Sequence, residues 1–422
     1  MSKLLILTSG FPRWPGDSTT PFVAQFASAM ARRGRSVLVS APHFAGARVR
    51  ETYADGVQVR RFRYFLPSAA QDVAYGGNAV RRVSRTPLYA LKLACFTVSA
   101  LVSVLVRRAD VVNAHWLIPQ GFVAVLAKVM TGTKVVVTVH GGDVFSLNGA
   151  LMRRVKRFVL RCADAVVVNS GATRDACREL YDGRDYDVIP MGVDTDRFTP
   201  GSRSPEIARR YELDDFTVLF VGRLTADKGV IDLLRALKGL KAAGAGFTAL
   251  VIGDGDEAPA LQEYVVDNDL QREVHFPGWL DSDDLPSYYR TADVFVGPSV
   301  VGDTGWREAL GLVFVEALAT GLPVIATDTG GIGEVVQDGV TGFLVDQRSP
   351  EQILDKLQLL RGDPELRQRL GRTGRTLVEE RFAWRAVGER YEAVLATLGA
   401  WQSPRHGAPG PCVRPGPGGA GG

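Results

Sequence analysis

The sequence predicts an α/β protein made of two Rossmann-like, doubly wound domains that face a central cleft. Short runs of Val, Ile and Leu recur along the chain, and each run is followed by a segment with helical periodicity. Near-continuous apolar runs are typical of parallel strands whose two faces are both covered by helices. Strands that alternate with helices indicate a doubly wound sheet, and the runs fall into two series, one for each domain.

Each series contains six predicted strands. The first comprises Leu4–Thr8, Ser36–Ser40, Asp110–Ala114, Lys134–Val139, Ala165–Asn169 and Asp187–Pro190. The second comprises Thr217–Val221, Thr248–Ile252, Val274–Phe276, Val294–Val296, Val324–Ala326 and Gly342–Val345. A Pro- and Gly-containing interruption near 196–204 predicts the boundary between an N-terminal domain at 1–198 and a C-terminal domain at 199–381. A last amphipathic helix is expected at 382–400, and the Pro- and Gly-rich tail at 401–422 should be disordered.

Composition argues against several classes of protein. The chain has four cysteines among 422 residues, and none has the spacing of a CxxC or Cys/His metal site. This argues against a disulfide scaffold and a zinc site, and it fits a cytoplasmic protein. The apolar run that begins at Leu4 is too short for a secretory signal. The longest uncharged apolar stretch, 93–106, is shorter than the roughly 20 residues that a membrane-spanning helix needs, and it predicts a buried helix.

A loop with two cations follows the predicted strand Thr217–Val221. Arg223 and Lys228 lie on this loop, just before a predicted helix. Ligands of doubly wound sheets bind outside the carboxyl ends of the strands. A guanidinium fork and an ammonium together suit a diphosphate. The alternative is a solvated loop with two surface cations.

A second candidate site lies around Glu308 and Glu316. From Leu312 the segment is apolar on all sides, which predicts a buried helix. Glu316 is a single carboxylate in the first turns of that helix, where burial is costly unless the group is hydrogen-bonded. A ligand hydroxyl would satisfy it, and the alternative is a hydrogen bond to backbone. Glu308 can reach the same ligand, while Gly311 would let a phosphate approach the helix N-terminus.

The spacing Glu308-x7-Glu316, preceded by Gly-Arg-x4-Lys-Gly, resembles the family-4 retaining glycosyltransferases (group 1 type) of the GT-B fold. The resemblance extends from Lys3 to about Leu398. Weaker motifs occur in the family's order: His140-Gly141-Gly142-Asp143, Pro190-Met191-Gly192-Val193-Asp194, Gly253-Asp254-Gly255, Pro298-Ser299 and Gly330-Gly331. The resemblance implies a GT-B fold, with the nucleotide-sugar donor in the C-terminal domain and the acceptor on the N-terminal domain. It also implies that the last helix, at 382–400, returns to the N-terminal domain, where its apolar face with Trp384 and Tyr391 would be buried.

The resemblance implies a role for each matching position. Arg223 and Lys228 would hold the donor diphosphate and stabilise the leaving nucleoside diphosphate. Glu316 would bind the ribose, Glu308 the donor sugar, and His140 would contact the transferred sugar and help to shape the transition state. Catalysis is therefore expected from His140, Arg223, Lys228 and Glu308. The donor site is expected to comprise Gly222, Arg223, Lys228, Gly253, Glu308, Gly311, Leu312 and Glu316.

On the acceptor side, His115 and Asp143 are the candidate residues. The chain departs from the family pattern in its first loop, where many relatives carry a Gly-Gly pair and this chain has Thr19-Thr20-Pro21. The loop at 10–20 can still present backbone N–H groups to a phosphate.

The activity implied is retaining transfer of a sugar from a nucleoside-diphosphate sugar to a glycan or lipid-linked acceptor, in cell-envelope or exopolysaccharide biosynthesis. No second carboxylate is placed as a nucleophile, in contrast to most retaining glycosidases. The family implies front-face substitution, in which the departing phosphate accepts the acceptor's proton. No cofactor and no metal are expected, because cations are available for the phosphates and the Asp-x-Asp triplets at 194–196, 254–256 and 281–283 are typical of acidic turns.

Three other functions are alternatives. A dehydrogenase is the first, because Gly253-x-Gly255-x-x-Ala258 matches a dinucleotide fingerprint, but that motif needs an acidic residue at the end of the next strand, about 20 residues on. The next predicted strand ends in Pro277-Gly278 instead. A two-lobed sugar- or nucleotide-binding protein and a non-hydrolysing nucleotide-sugar epimerase would share the architecture.

Charge is distributed unevenly along the chain. Residues 1–198 contain 27 Lys and Arg against 14 Asp and Glu, whereas the remainder contains 23 against 32. Between Ala31 and Arg108 there are 14 cations and three acids, and Arg60–Leu66 interleaves cations with aromatic residues. Arg81, Arg82 and Arg85 then lead into the apolar stretch. This pattern predicts an anionic acceptor or peripheral contact with an anionic membrane, and the alternative is a solvated basic surface. No nucleic-acid partner is expected.

Overall fold

Two parallel β-sheets, each covered by helices on both faces, divide the computed structural model into two α/β domains. The structure describes residues 2–17, 19–73, 87–213, 215–302 and 306–399. The predicted tail at 401–422 and the cations Arg81, Arg82 and Arg85 lie outside these residues. Within them, the predicted fold class is confirmed.

The N-terminal sheet has eight strands. They are β1 (Lys3–Leu7), β2 (Ser36–Pro42), β3 (Arg50–Thr52), β4 (Gln58–Phe62), β5 (Val111–His115), β6 (Lys134–Val139), β7 (Ala165–Val168) and β8 (Asp187–Val188). Their order is β3-β4-β2-β1-β5-β6-β7-β8. Neighbouring strands are parallel except for β3, which pairs antiparallel with β4 at the edge.

The C-terminal sheet has six strands, and all of its neighbouring pairs are parallel. They are β9 (Thr217–Val221), β10 (Thr248–Ile252), β11 (Val274–Gly278), β12 (Val294–Gly297), β13 (Val324–Thr327) and β14 (Gly342–Val345). Their order is β11-β10-β9-β12-β13-β14. The connection from β11 to β12 crosses the sheet, as in other doubly wound folds.

Helices connect the strands and cover both sheets. Those before the boundary are α1 (Pro21–Arg32), α2 (Pro87–Arg107), α3 (Phe122–Thr131), α4 (Gly142–Phe145), α5 (Ala150–Cys162) and α6 (Gly171–Leu180). Those after it are α7 (Pro205–Arg210), α8 (Val230–Ala242), α9 (Ala258–Asp267), α10 (Leu285–Thr291), α11 (Leu312–Ala319), α12 (Pro350–Gly362), α13 (Pro364–Arg381) and α14 (Trp384–Ala396). Helices α2, α3 and α5 share one face of the N-terminal sheet, and α1 and α14 share the other.

All twelve predicted strands are present, and two further strands, β3 and β4, were missed. The central strands are buried along nearly their whole length, as β5 and β9 illustrate. This burial is why their sequences are continuous apolar runs. Strand β3 is the edge strand of the N-terminal sheet, where charged residues are tolerated. Strand β4 lies between β3 and β2, and its apolar run is broken by Arg60 and Arg61.

The cation–aromatic segment Arg60–Leu66 is only partly at the surface. Arg63 and Leu66 are exposed, but Arg61 is buried, so it cannot contribute to a surface motif. Arg61 is 1% exposed, forms an ion pair with Glu51 at 2.6 Å, and donates to the carbonyl of Pro12 at 2.5 Å. Phe62 and Tyr64 are buried. The pairing explains the burial, because a buried guanidinium is tolerated only when its charge and N–H groups have partners.

The apolar stretch at 93–106 belongs to the longer helix α2, and the prediction that this helix is buried is wrong. Only 28% of the most apolar 18-residue window of α2 is buried in the protein. By length and composition the helix could also cross a membrane. Tyr89, Phe96 and Val104 pack against the domain core, while Val98 and Val102 are exposed. One face of α2 therefore covers the sheet and the opposite face is open.

The last helix, α14, leaves the C-terminal domain and packs on the N-terminal domain. Nε1 of Trp384 donates to Oε1 of Gln25 in α1 at 3.1 Å. The buried ring of Tyr391 lies 4.6 Å from that of Phe26, centroid to centroid. The aromatic face of α14 with Trp384 and Tyr391 is therefore buried against the N-terminal domain, and α14 connects the two domains.

Candidate active site

The loop after β9 holds the two predicted diphosphate cations at the carboxyl edge of the C-terminal sheet. The backbone N–H of Gly222 donates to the carbonyl of Ile252 at 3.0 Å, which fixes the start of the loop against the neighbouring strand. Lys228 follows in a short 3-10 turn that ends at Gly229. Gly229 has a φ of +63°, and a Cβ there would lie 2.0 Å from the carbonyl oxygen of Pro298. The loop and the end of β12 are therefore in direct backbone contact.

The start of α11 faces this loop. Gly311 precedes the helix with a φ of +77°, and a Cβ there would meet the ring of Phe314 at 2.4 Å. Glycine is thus required for the sharp turn that exposes the N–H groups of the first helical turn. Nζ of Lys228 forms an ion pair with Oε2 of Glu308 just before this turn. The residues predicted for the diphosphate and for the donor sugar are therefore partners of each other.

Glu316 projects from α11 into the same space. The hydroxyl of Tyr289 in α10 donates to Oε2 of Glu316 at 2.9 Å. Burial raises the pKa of Glu316 to about 7, against the opposing effects of the Tyr289 hydrogen bond and the charge of Arg197. The predicted alternative, a carboxylate bonded to backbone, is wrong: the partner is a tyrosine side chain.

One cavity of about 380 Å³ collects these groups. It is lined by all eight residues predicted for the donor site, namely Gly222, Arg223, Lys228, Gly253, Glu308, Gly311, Leu312 and Glu316. Pro21 and Gln25 of α1 line it from the N-terminal domain. The first loop, in which Thr19-Thr20-Pro21 replaces the family's Gly-Gly pair, therefore ends at the cavity through Pro21. Such a volume is typical of a small-molecule site.

His140 lies at the carboxyl end of β6, stacked on a second histidine. Its Nε2 is 3.0 Å from Nδ1 of His115, and the two ring centroids are 5.1 Å apart. Burial lowers the pKa of His140 to about 3, and burial together with His140 lowers the pKa of His115. Both rings are therefore neutral near pH 7. His140 can position or hydrogen-bond a ligand, but it cannot act as a cation.

His115 and Asp143 hold the segment around His140. His115 is fully buried. The carboxylate of Asp143 accepts from the backbone N–H of Leu117 at 2.7 Å and of His140 at 3.2 Å. The role of the two residues on the acceptor side stays a prediction. The contacts indicate that they fix the orientation of His140.

The His140 segment touches the C-terminal domain beside Glu308. Gly141 has a φ of +93°, and a Cβ there would lie 2.2 Å from the Cβ of Ala309. Nearby, Oε1 of Glu334 accepts from the backbone N–H of Gly171 at 2.6 Å, at the N-terminus of α6. These contacts bring the strand ends of the two domains together, so that groups from both can meet one ligand.

Tyr289 and Arg197 also belong to the site, although neither was predicted from the sequence. Tyr289 lies 27 residues before its partner Glu316, and nothing in its own segment marks a ligand site. Arg197 lines the cavity from the connection between the domains, and it pairs with Asp283 at 3.3 Å. Its place in the conspicuous run Asp194-Thr195-Asp196-Arg197 was the one available signal.

The Asp-x-Asp triplets serve turns. Oδ1 of Asp194 accepts from the backbone N–H of Asp196 and of Arg197, at 3.1 Å in both cases. Oδ1 of Asp254 accepts from the N–H of Gly255 at 2.7 Å. Within the described ranges, no group of three or more His, Cys, Asp or Glu residues is arranged to hold a metal ion.

Two Rossmann-like domains, with a cation-bearing loop and a carboxylate-bearing helix at one cleft, define a GT-B glycosyltransferase. The sequence matches the family model "Glycosyltransferase Family 4" over residues 20–197 and the model "Glycosyl transferases group 1" over residues 205–377. The chain therefore belongs to the family-4, group 1 glycosyltransferases, and it is an enzyme of that class.

Named relatives cover most of the chain. A GDP-mannose-dependent alpha-(1-6)-phosphatidylinositol monomannoside mannosyltransferase from Mycobacterium tuberculosis is 29% identical over 397 residues, which are 91% of this chain and 95% of the relative. A protein of the same name from Mycolicibacterium smegmatis is 30% identical over 66% of this chain and 74% of its own length. A glycogen synthase from M. tuberculosis is 31% identical over 66% of this chain and 67% of its own length.

Solved structures share the fold. Sucrose-phosphate synthase from Thermosynechococcus elongatus superposes with a TM-score of 0.77 at 21% identity, covering 95% of this chain and all of the other. Anabaena HepE in complex with UDP and glucose superposes with a TM-score of 0.71 at 21% identity, covering 94% of this chain and all of that chain. At this identity the likeness concerns the two-domain fold.

Proposed function

We propose that this enzyme transfers a hexosyl or related sugar from a nucleoside-diphosphate sugar to a glycan or lipid-linked acceptor, with retention of the anomeric configuration. The observation that carries the proposal is the cavity that gathers Arg223, Lys228, Glu308 and Glu316. These side chains match the parts of such a donor: two cations for the diphosphate and two carboxylates for the sugar and ribose hydroxyls.

The two cations would act mainly on the transition state. Negative charge grows on the departing phosphate as the glycosidic bond breaks, and a fixed cation stabilises that charge better than it stabilises the bound donor. Lys228 starts in an ion pair with Glu308. A diphosphate would compete for its ammonium group, and this would release the carboxylate of Glu308 to accept a hydrogen bond from a sugar hydroxyl.

Retention would proceed by front-face substitution. The carboxylates among the described residues of the cavity are Glu308 and Glu316. The first is paired with Lys228 and the second with Tyr289. A double displacement needs a carboxylate at the anomeric carbon, and both carboxylates already have the donor roles above. In this mechanism, the departing phosphate oxygen takes the acceptor's proton while the acceptor oxygen bonds to the anomeric carbon from the same face.

For the acceptor, we propose a lipid-linked, anionic glycan precursor at the cytoplasmic face of a membrane, in cell-envelope or exopolysaccharide biosynthesis. The named mannosyltransferase relatives, which act on a phosphatidylinositol mannoside, support this class. The excess of 27 cations over 14 acids in residues 1–198 is also consistent with an anionic acceptor. We further propose that the transfer requires no metal, because Arg223 and Lys228 can neutralise the diphosphate.

Release of nucleoside diphosphate tests this proposal. The full chain is incubated with UDP-, GDP- and ADP-sugars and lipid-linked acceptors, with and without chelator, and the product anomer is determined by NMR. We expect acceptor-dependent release from one donor, an unchanged rate with chelator, and the donor's own anomeric configuration in the product. A binding protein would leave the donor unchanged, and a non-hydrolysing epimerase would convert the donor into an epimeric nucleotide sugar without net release of nucleoside diphosphate. An inverted product would contradict the front-face mechanism.

A further inference from the structure

The exposed face of α2 is apolar along the whole helix. Every exposed position of the helix is occupied by an uncharged apolar residue, and these positions are Pro87, Leu88, Ala90, Leu91, Ala94, Val98, Val102 and Val106. At 100° per residue they fall on one side of the helix. The result is a continuous apolar stripe about 30 Å long. Exposed apolar residues scattered singly are normal, but a contiguous stripe marks an interaction surface.

Two neighbouring helices extend this surface. Helix α3 contacts α2 on one side and α5 on the other. Val129 and Met130 of α3 are 74% and 64% exposed, and Leu151 of α5 is 66% exposed. The three helices α2, α3 and α5 lie on the same side of the N-terminal sheet. Together they form the docking face.

The docking face is strongly basic. Its three helices contain eight Lys and Arg residues and no Asp or Glu. Lys92 and Lys128 pair with Asp72 and Asp164, and Lys156 is buried, so the free positive charge comes from α5. Four exposed arginines lie on α5, namely Arg153, Arg154, Arg157 and Arg161. Within the described part of the chain, none of their guanidinium groups is ion-paired or hydrogen-bonded. An apolar stripe beside a row of free cations is the combination that binds an anionic lipid surface, because the apolar side chains enter the boundary of the acyl region and the cations meet the headgroups.

We propose that the docking face binds an anionic phospholipid membrane in the plane of its surface. Helix α2 does not cross the membrane in this arrangement, because Tyr89, Phe96 and Val104 attach it to the core of the N-terminal domain. A second copy of the chain is a poorer occupant. A symmetric contact through the same face would bring two unpaired arginine rows together, and like charges oppose it.

The direction of the helices relates the docking face to the cleft. In a parallel α/β sheet, a helix that follows a strand begins near the carboxyl ends of the strands. A helix that precedes a strand ends near the amino ends of the strands. Helix α5 follows β6 and α2 precedes β5. Leu151 of α5 and Leu88 of α2 therefore lie toward the carboxyl edge, where the cavity is. The membrane contact would thus begin beside the cleft, where a lipid-linked acceptor has to enter.

Vesicle sedimentation tests this inference, which goes beyond the proposed reaction and requires neither donor nor acceptor. The full chain is mixed with phosphatidylglycerol/phosphatidylcholine vesicles and with pure phosphatidylcholine vesicles, at low and physiological salt. We expect binding to the anionic vesicles that weakens as salt screens the cations. Loss of catalytic activity would leave this measurement unaffected, so failure of the proposed function and failure of the docking face can be distinguished.

Matched variants assign the binding to this face. Val98→Asp places a charge in the middle of the stripe, and Val266→Asp does the same at a site of similar exposure in the C-terminal domain. The double change R154E/R157E on α5 is matched by R369E/R372E on α13, where both arginines are also exposed. We expect the α2 and α5 variants to lower vesicle binding at least about tenfold, and the two controls to leave it unchanged.

Several outcomes would overturn the proposal. These are absence of binding to anionic vesicles, equal binding to both vesicle types at all salt concentrations, and equal effects of the test and control variants. Concentration-dependent dimerisation that Val98→Asp abolishes, without vesicle binding, would identify a second copy as the occupant instead. Circular dichroism of each variant shows whether the fold is retained, as the exposure of all substituted side chains leads us to expect.

Discussion

The hydroxyl of Tyr289 donates a hydrogen bond to Oε2 of Glu316 at 2.9 Å. This contact satisfies one oxygen of a carboxylate that stands in an otherwise apolar helix, and the other oxygen is available to the cavity. It also lowers the pKa of Glu316, which burial raises to about 7. The carboxylate that is expected to bind the donor ribose is therefore poised to change its charge within the physiological pH range.

Removing this contact should change the pH dependence of donor binding. Tyr289→Phe deletes the hydrogen bond that favours the carboxylate, so the pKa of Glu316 rises further. Because the charged form accepts hydrogen bonds from ribose hydroxyls more strongly, the donor KM of the wild type should fall as pH rises through 7. In the variant this fall should move to higher pH, with a donor KM about threefold higher at pH 7. Identical KM profiles for both proteins between pH 6 and 8.5 would contradict this assignment.

The diphosphate cations should affect turnover more than acceptor affinity. Arg223→Ala and Lys228→Ala remove charges that stabilise the leaving group, and we expect kcat to fall about a hundredfold or more with little change in acceptor KM. Lys238→Ala, an exposed lysine of α8 in the same domain, serves as the control. Steady-state kinetics with both substrates varied decides the matter. A change confined to the acceptor KM would show that these cations contact the acceptor and not the donor diphosphate.

His115 should act through His140. One of the two neutral rings must donate in the 3.0 Å contact. Nε2 of His115 is buried with no partner among the described residues. Since an unsatisfied buried N–H is the costlier choice, His115 is expected to donate from Nδ1 and to fix the tautomer of His140.

His115→Phe keeps the ring but removes the donor. We expect kcat to fall about tenfold to a hundredfold while the affinity for free nucleoside diphosphate is unchanged. In the wild type, kcat should show no titration of His140 between pH 5 and 8, because its pKa is about 3. Calorimetry with the nucleotide separates this positioning role from a structural one. Parallel losses of nucleotide affinity and turnover would indicate general damage.

The close approach of Gly141 to Ala309 offers a test of domain contact. Gly141→Ala adds a methyl group 2.2 Å from the Cβ of Ala309, so the domains must separate or the loop must shift. Overpacking of this kind costs about 1–3 kcal/mol, and we expect kcat to fall about tenfold. Gly132→Ala is the matched control, because Gly132 also has a positive φ, of +71°, but a Cβ there meets no atom within 4 Å. Equal activity of the two variants would show that the contact is not needed for transfer.

Much of the fold follows from local sequence pattern. Every central strand was predicted, because parallel strands buried on both faces have to be continuous apolar runs. Strand β3 was not, because an edge strand tolerates charged residues, and β4 was not, because Arg60 and Arg61 break its apolar run. Within that run Arg61 looked like a surface residue. Its burial depends on Glu51 and on a carbonyl of the first loop, and neither partner can be identified from the segment alone.

The donor side of the site was more predictable than its surroundings. Arg223, Lys228, Glu308 and Glu316 stand in motifs at strand ends and helix starts, where topology directs them to one cleft. Tyr289 could not be found, because only the packing of α10 against α11 brings it to Glu316. The exposure of α2 could not be found either, since an apolar periodicity does not show whether the second face of a helix will be covered.

Glu316→Gln tests the donor site most directly. The amide keeps the size and the hydrogen-bonding capacity of the side chain but removes the charge that favours ribose hydroxyls, in a residue whose pKa of about 7 makes the neutral form compatible with the fold. Acceptor-dependent release of nucleoside diphosphate is measured at pH 8, together with the unfolding temperature. We expect release to fall at least about a hundredfold while the unfolding temperature is unchanged or higher. A folded Glu316→Gln enzyme with wild-type release would contradict the assignment of this cavity to the nucleotide sugar.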